Sequence, residues 1–197
     1  VIIGDPDRLR AVAEDFIKHY ETRVAEGATV AGKAMFVCSN RNIAYDFYKI
    51  VKELRPEWTE KKICDDGVVL SEKDKKELKP MEKIKLVMTR NKDDEKDLFD
   101  MLGTKEDRKE FDRQFKNPKS NFKIAIVVDM WLTGFDVPEL DTIYIDKPIQ
   151  QHTLIQTISR VNRVCEGKDK GLIVDYIGIK KNMNTALKKY TNFESEE

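Results

Sequence analysis

The sequence predicts an α/β domain with a mainly parallel central sheet. Short apolar segments alternate along the chain with longer segments whose apolar residues recur at helical spacing. The most apolar short segment, residues 122–128, is apolar almost throughout, which is typical of a strand covered on both faces. Strands that alternate with helices favour parallel pairing through right-handed crossovers, so we expect helices on both faces of the sheet.

The first part of the chain predicts two helices around one strand. Asp5-Pro6 is a typical helix start, because a capping residue is followed by a first-turn proline. Residues 33–38 form a short apolar run that predicts a buried strand. Ser39 or Asn40 can cap the helix that follows, and Pro56 ends that helix.

Shorter patterns predict the remaining elements. The predicted strands are residues 84–88, 122–128, 141–145 and 172–175, and the predicted helices are residues 94–102, 105–115, 153–164 and 180–190. Residues 57–83 are rich in Lys, Glu and Asp and have few apolar anchors. We therefore expect them to be a surface insertion or a poorly ordered connection within one domain that spans residues 1–197.

Composition limits the classes of protein and site that the chain can form. Its 197 residues include 36 basic and 36 acidic side chains, so the net charge is zero and any nucleic-acid contact must be a local patch. The three cysteines have no Cys-x-x-Cys spacing and neither histidine has a second ligand nearby, so no disulfide framework and no metal site is predicted. Scattered cysteines favour a cytoplasmic protein with reduced thiols. No apolar run approaches the ~20 residues of a membrane span.

A polar loop follows the most apolar strand. It reads Asp-Met-Trp-Leu-Thr-Gly-Phe-Asp-Val-Pro over residues 129–138. Ligands of open α/β sheets bind at the carboxyl ends of strands, so this loop has the position of a binding loop. Gly134 permits close approach of a phosphate or ribose, while Thr133 offers a hydroxyl and Asp136 an acceptor for a sugar hydroxyl. The alternative is a plain turn that ends at Pro138.

A second polar pattern, Gln-Thr-Ile-Ser-Arg-Val-Asn-Arg, occupies residues 156–163 of a predicted helix. Gln156, Arg160 and Arg163 lie at positions i, i+4 and i+7 and therefore on one face of that helix. Guanidinium groups match phosphate oxygens and stay protonated, so this face suits a polyphosphate. The alternative is a solvated face with salt bridges, but Glu166 is the only carboxylate close by in the sequence.

Together the two patterns resemble motifs V and VI of superfamily 2 helicases and translocases. Motif VI usually reads Gln-x-x-Gly-Arg-x-x-Arg, and Ser159 replaces the glycine here. Longer runs, among them Tyr-Ile-Asp-Lys-Pro, resemble the R (motor) subunit of type I restriction enzymes. These runs are residues 129–138, 144–148, 152–163 and 171–178, and residues 34–41 fit the motif IV region of that subunit. The resemblance covers most of the chain and is weakest between about residues 57 and 83.

The resemblance implies the second RecA-like domain of such a motor, a three-layer α/β/α unit also called the helicase C-terminal domain. It implies that Arg163 is the arginine finger for an ATP held mainly by a partner domain, and that Arg160 contacts the γ-phosphate or orders the site beside it. Gln156 is implied to position the attacking water or to couple the two domains. Asp136 and Gly134 are implied to face the ribose.

The same resemblance assigns a set of DNA contacts. Ser39, Arg41 and Thr133 are implied to contact the DNA backbone, and Thr89 is a weaker candidate. Contacts of this kind hold phosphates without reading the base sequence. Trp131, beside motif V, is expected to pack in the core or at a domain interface rather than to stack on a base.

Two motifs that ATP hydrolysis needs are missing from the sequence. It contains no Gly-x-x-x-x-Gly-Lys-Ser/Thr loop and no Asp-Glu-x-His-type magnesium motif. The resemblance therefore places the binding of ATP and Mg²⁺ mainly in a first RecA-like domain, upstream of Val1 in a longer parent protein. This piece alone is not expected to hydrolyse ATP or to cut DNA. The implied partners are double-stranded DNA, that first domain, and the modification (methyltransferase) and specificity subunits of a bacterial or archaeal enzyme.

Two other functions stay open on the sequence alone. Another superfamily 2 helicase or remodelling ATPase shares the motifs, and a non-catalytic α/β binding or assembly module shares the fold class. The motor hypothesis predicts that Arg160 and Arg163 converge with Asp136 on one edge of a cleft. The binding-module hypothesis predicts arginines that are paired with carboxylates on a remote surface.

Overall fold

Five strands and six α-helices make up the part of the chain that the computed structural model describes, residues 2–132, 136–162, 167–168 and 171–178. The strands are β1 (Lys33–Cys38), β2 (Ile84–Leu86), β3 (Ile124–Val127), β4 (Leu140–Asp146) and β5 (Leu172–Asp175). The helices are α1 (Pro6–Ala25), α2 (Arg41–Leu54), α3 (Glu72–Glu77), α4 (Lys96–Leu102), α5 (Lys105–Lys116) and α6 (Gln151–Val161), and a 3₁₀ turn spans Pro56–Thr59. The helix predicted over residues 180–190 lies outside the described residues.

The strands form one parallel sheet in the order β2-β3-β1-β4-β5. β1 is the central strand, where Ala34 pairs with Ile124 of β3 on one side and with Thr142 of β4 on the other. Because every strand runs in the same direction, the segments that follow the strands meet at one edge of the sheet. We call this edge the carboxyl edge and the opposite one the amino edge. The parallel sheet that the sequence predicts is confirmed.

Two hydrophobic cores lie on opposite faces of this sheet. Phe36 of β1 packs in a core with apolar residues of α1, α2 and α4. Its neighbour Val37 packs in a second core with residues of α5 and α6. Successive residues of a strand point to opposite faces, which divides one apolar run between two cores. Helices on both faces confirm the three-layer α/β/α architecture, and β1, β3 and β4 are buried along their whole length.

Capping side chains fix where the main helices begin. The carboxylate of Asp5 accepts a hydrogen bond from the Arg8 backbone N–H at 3.0 Å, as predicted for α1. Of the two candidates for the start of α2, Asn40 is the cap, because its side chain accepts from the Ile43 N–H. Ser39 makes a different contact, described below. A side chain that accepts a hydrogen bond from an otherwise unpaired N–H of the first turn stabilises a helix by about 1 kcal/mol.

Residues 57–83 cross the surface but contribute three buried side chains. Trp58 is 4% exposed, Leu78 3% and Met81 4%. The Lys62 and Met81 backbones also pair in an isolated antiparallel bridge. The charged residues of the segment remain outside, so its composition reflects its solvent face. Its interpretation as an insertion relative to the family stays a prediction.

The bounds of three strands differ from the predicted ones: β2 is shorter, β3 spans Ile124–Val127 instead of 122–128, and β4 is one residue longer at each end. β2 ends at Leu86, although the apolar run continues to Met88 and residues 87 and 88 are buried. The Val87 N–H still donates to the Ile126 carbonyl at 2.9 Å, after which the ladder stops. β4 starts one residue earlier than predicted, at Leu140. No described helix combines the length and the apolar character that crossing a bilayer requires.

Candidate functional site at the carboxyl edge

Side chains from three strand ends meet at the carboxyl edge. Arg41 follows β1, Thr89 follows β2, and Asp129 follows β3. These three residues line a single pocket of about 380 Å³. Its remaining lining residues are apolar: Val87, Met88, Val128 and Met130. The structure therefore brings two of the predicted DNA contacts, Arg41 and Thr89, to the start of the 129–138 loop.

Arg41 is held across the ends of β1 and β2. Its guanidinium donates to both carboxylate oxygens of Asp94 at 2.7 Å and to the Thr89 carbonyl. Burial would raise the pKa of Asp94, but the hydrogen bonds from the Asn91 N–H and from Arg41 hold it below its usual range. The Arg41 side chain is still 30% exposed. A charged, oriented and partly exposed guanidinium of this kind can meet a phosphate from one side while Asp94 holds it from the other.

Ser39, the third predicted DNA contact outside the loop, is half-buried at the end of β1. Its hydroxyl donates to the Asp146 carbonyl at the end of β4, at 2.9 Å. The hydroxyl therefore ties two adjacent strand ends together. A phosphate oxygen accepts hydrogen bonds, so contact with DNA would require the hydroxyl proton to turn from the Asp146 carbonyl to the phosphate.

The 129–138 loop begins against the core beneath it. Trp131 has a backbone φ of 67°, which is rare for a residue with a Cβ, and its ring stacks on Phe115 with centroids 5.3 Å apart. This contact confirms that Trp131 packs against the core. Thr133 and Gly134 lie outside the described residues, so their predicted roles stay predictions. Asp136, at the far side of the loop, is exposed.

Helix α6 contacts the start of this loop through Arg160. Leu154, Ile158 and Val161 form the buried stripe that the sequence predicts, and Gln156 is exposed. Arg160 is half-buried, and its Nε donates to the Leu132 carbonyl at 3.1 Å. Arg160 thus reaches the loop at the carboxyl edge instead of a remote surface. Arg163 lies outside the described residues, so the predicted convergence of the two arginines with Asp136 stays a prediction.

Two lysines that the sequence did not single out also hold the ends of the loop. The ammonium of Lys147, directly after β4, donates to the Val128 carbonyl at 3.0 Å and to the Asp129 carboxylate. Lys168 is 3% exposed and donates to the carbonyls of Pro138 and Leu140 at 2.9 and 2.7 Å. Lys147 belongs to the Tyr-Ile-Asp-Lys-Pro run of residues 144–148, which indicates the family but no role for the lysine. Nothing in the local sequence marks Lys168.

An ion pair with Arg8 of α1 fixes Asp146 at the end of β4. The Asp146 carboxylate is fully buried and accepts from two nitrogens of Arg8, whose side chain is 16% exposed. Arg8 also donates to the carbonyls of Ile3 and Tyr176, at 3.0 and 3.3 Å. The hydrogen bond that Arg8 donates to Asp146 raises the pKa of Arg8 above its usual value. α1 is therefore attached to the carboxyl edge through a charged contact as well as through the core.

The three-layer fold, with polar loops at the carboxyl edge of a parallel sheet, places the chain in the class of RecA-like α/β/α domains. A solved fragment described as an HsdR subunit of a type I restriction enzyme from Vibrio vulnificus YJ016 has the same fold. The two structures superpose with a TM-score of 0.58 at 16% identity, over 90% of this chain and 30% of that one. Within the class, the chain belongs to the family described as type I restriction enzyme subunit R domain 3, whose model matches residues 30–178.

Curated relatives carry the same family assignment. The chain is 38% identical over 194 residues to the HindI type I restriction enzyme endonuclease subunit of Haemophilus influenzae, which covers 97% of this chain and 17% of that protein. It is 47% identical over 75 residues to the SsaAORF53P endonuclease subunit of Staphylococcus saprophyticus, covering 38% and 8% respectively. The chain thus spans less than a fifth of the length of these relatives. The family assignment decides against an unrelated helicase or remodelling ATPase.

Proposed function

We propose that this chain supplies motifs IV to VI of the motor subunit of a type I restriction enzyme, which translocates double-stranded DNA at the expense of ATP. The observation that carries the proposal is the position of Arg160. Its guanidinium holds the 129–138 loop at the carboxyl edge, where Arg41 and Thr89 also lie. Arg160, a proposed nucleotide-site residue, therefore lies at the same edge of the sheet as Arg41 and Thr89, two of the proposed DNA contacts.

The donor chemistry of this edge fits one side of a bound nucleotide. Mg²⁺-bound ATP supplies a polarised γ-phosphate that water can attack. Gln156 on α6 offers an exposed amide that can orient a water molecule, and Asp136 offers an exposed acceptor for a ribose hydroxyl. Because the chain has no phosphate-binding loop and no magnesium motif, the rest of the site is assigned to a first RecA-like domain of the parent.

Two arginines are assigned different tasks. The hydrogen bond that Arg160 donates to the Leu132 carbonyl supports an ordering role for Arg160. This is the second of the two roles that the motif resemblance implies for it. Arg163, three residues further along the sequence, is proposed as the arginine finger that stabilises the charge developing on the transferred phosphoryl group. A group in that position contributes roughly 10³- to 10⁵-fold to turnover.

On the DNA side, Arg41, Ser39 and Thr89 are proposed to contact phosphates, together with Thr133. Rocking of this domain against the first RecA-like domain would move these contacts along the duplex, as in other hinge-type closures. The modification and specificity subunits are the proposed partners, and recognition of a DNA sequence is left to the latter. A bacterial or archaeal cytoplasm is the proposed location.

The test is ATP hydrolysis by the full-length parent and by its Arg163→Ala variant, with and without duplex DNA. We expect DNA-stimulated turnover to fall by at least about 10³-fold, while DNA binding is retained. Arg113→Ala is the matched control, because Arg113 is a 65% exposed helix arginine that pairs with Glu110 away from this edge. Unchanged turnover in Arg163→Ala would contradict the motor assignment and favour a non-catalytic α/β module.

A further inference from the structure

The dipeptide Asp146-Lys147, at the end of β4, contacts three other elements of the carboxyl edge. The carboxylate of Asp146 binds Arg8 of α1, and its carbonyl accepts the Ser39 hydroxyl at the end of β1. The ammonium of Lys147 reaches the end of β3, where it binds Val128 and Asp129. This dipeptide lies in the Tyr-Ile-Asp-Lys-Pro run, to which the proposed function gives no task.

Asp146 has the properties of a fixed anchor. Its carboxylate is fully buried, and a buried carboxylate is tolerated only while it is paired and hydrogen-bonded. Two guanidinium nitrogens satisfy it, so the end of β4 cannot shift without leaving that charge unpaired. Since the Asp146 carbonyl holds the Ser39 hydroxyl, the same anchor fixes a proposed DNA contact.

Lys147 extends from this anchor to the start of the 129–138 loop. Its side chain is 19% exposed, and its ammonium donates to a backbone carbonyl, that of Val128, at 3.0 Å. Val128 immediately follows β3, so this contact sets where the chain leaves the sheet. Lys168 holds the other end of the loop through Pro138 and Leu140. Both ends of the segment that carries Thr133 and Gly134 are thereby fixed by lysines.

We infer that Lys147 is a positioning residue that couples the DNA contact at Ser39 to the nucleotide side of the 129–138 loop. This inference rests on the proposed function. In this proposal Lys147 acts through the Val128 carbonyl and Asp129 and not through direct contact with ATP or DNA. The simpler explanation is an ordinary surface ion pair, because Asp129 is 86% exposed and such pairs contribute little to stability. The two explanations predict different kinetic behaviour for the same substitution.

The experiment compares Lys147→Met, Lys147→Arg and the unaltered full-length parent. Methionine keeps the length of the side chain and removes its charge, whereas arginine keeps a donor that can reach the same carbonyl. Lys49→Met is the matched control, since Lys49 is a 51% exposed lysine paired with Asp46 on α2. For each protein we would measure the kcat and the KM for ATP at saturating duplex DNA, and the melting temperature.

A positioning role predicts a selective loss. In Lys147→Met we expect kcat to fall roughly tenfold or more, because small displacements of a catalytic loop have effects of this size. The KM for ATP and the melting temperature should remain close to those of the unaltered protein, and Lys147→Arg should recover most of the turnover. An unchanged kcat in Lys147→Met would overturn the inference. So would a loss that arginine fails to rescue or that falls together with the melting temperature.

The outcome of Arg163→Ala separates this inference from the proposed function. If Arg163→Ala abolishes DNA-stimulated turnover while Lys147→Met does not lower it, the motor assignment stands and the coupling role of Lys147 is wrong. If neither substitution changes turnover, the motor assignment itself is wrong.

Discussion

The two edges of the sheet use basic side chains in opposite ways. At the amino edge, Lys33 begins β1 and Lys123 precedes β3, and the two residues are 0% and 6% exposed. At the carboxyl edge, Arg41 and Lys147 are half-buried, and they bind the segments that follow the strands. A zero net charge conceals this difference, because it counts all four residues alike.

The surroundings of Lys33 at the amino edge disfavour the charged form of its side chain. The Nζ of Lys33 donates to the Phe122 carbonyl at 2.6 Å and lies 5.3 Å from the centroid of the Phe115 ring. Burial, and then the charge of Lys123, lower the pKa of Lys33 well below its usual value. At the carboxyl edge, Arg41 instead supplies a guanidinium group, which stays protonated in proteins. The edge of the sheet at which a basic residue lies is therefore a better indicator of anion binding than the number of basic residues in the chain.

The largest effect that we expect from testing this comparison comes from Arg8→Met at the carboxyl edge. It leaves the Asp146 carboxylate buried without its partner, which should lower the free energy of unfolding by about 3 kcal/mol. Urea unfolding would measure the loss. Arg10→Met is the control, because the Arg10–Glu53 pair is 46% and 66% exposed and should contribute less than about 1 kcal/mol. Equal losses in the two variants would show that the buried Arg8–Asp146 pair contributes no more to stability than the exposed Arg10–Glu53 pair.

An intermediate effect is expected at the amino edge and concerns pH. Since the pKa of Lys33 is lowered in the folded state, the unfolded chain binds the additional proton between that lowered pKa and about 10.5. Stability should therefore rise with pH in this window, by up to about 1.4 kcal/mol per pH unit from this one group. Lys33→Met should remove that contribution, while Lys49→Met, an exposed lysine, should not. Parallel stability curves for the unaltered protein and Lys33→Met would contradict a lowered pKa of Lys33 in the folded state.

The smallest expected effect is on the salt dependence of DNA binding. Arg41→Ala in the full-length parent should reduce the slope of log K against log salt by about one, because one phosphate contact is lost. Lys76 provides the comparison, since it lines a groove between α3 and the end of α5. Lys76→Ala should leave the slope unchanged. The opposite result would move the DNA contact away from the carboxyl edge.

Local patterns in the sequence predict the elements of this fold well. The apolar run at residues 33–38 and the alternation of strands with helices predict a buried, parallel sheet, and the spacing of Leu154, Ile158 and Val161 predicts the inner face of α6. Each of these features depends on neighbours within a few residues in the chain. Capping is equally local, which is why Asn40 was one of only two candidates for the start of α2.

The partners of the site residues depend on contacts between distant segments. The motif resemblance identifies Arg41, but the structure alone shows that it binds Asp94, 53 residues further along the chain. Lys168 is similar, because it reaches carbonyls 28 and 30 residues before it. Lys33 was assigned to a strand correctly, yet only the position of Phe115 above it shows that the lysine is sealed from water. Periodicity carries no information about such pairs.

Helix α1 precedes residues 30–178, the part of the chain that the family model matches, yet it completes one face of the sheet. Phe16 meets Tyr144 edge-on at 4.7 Å and Phe36 at 5.1 Å. A protein shortened to begin at residue 30 would keep every motif residue but expose this aromatic surface, and exposed apolar patches promote aggregation. Exchange of this domain between relatives should therefore transfer α1 together with the motifs, because the fold needs a helix that precedes the residues matched by the family model.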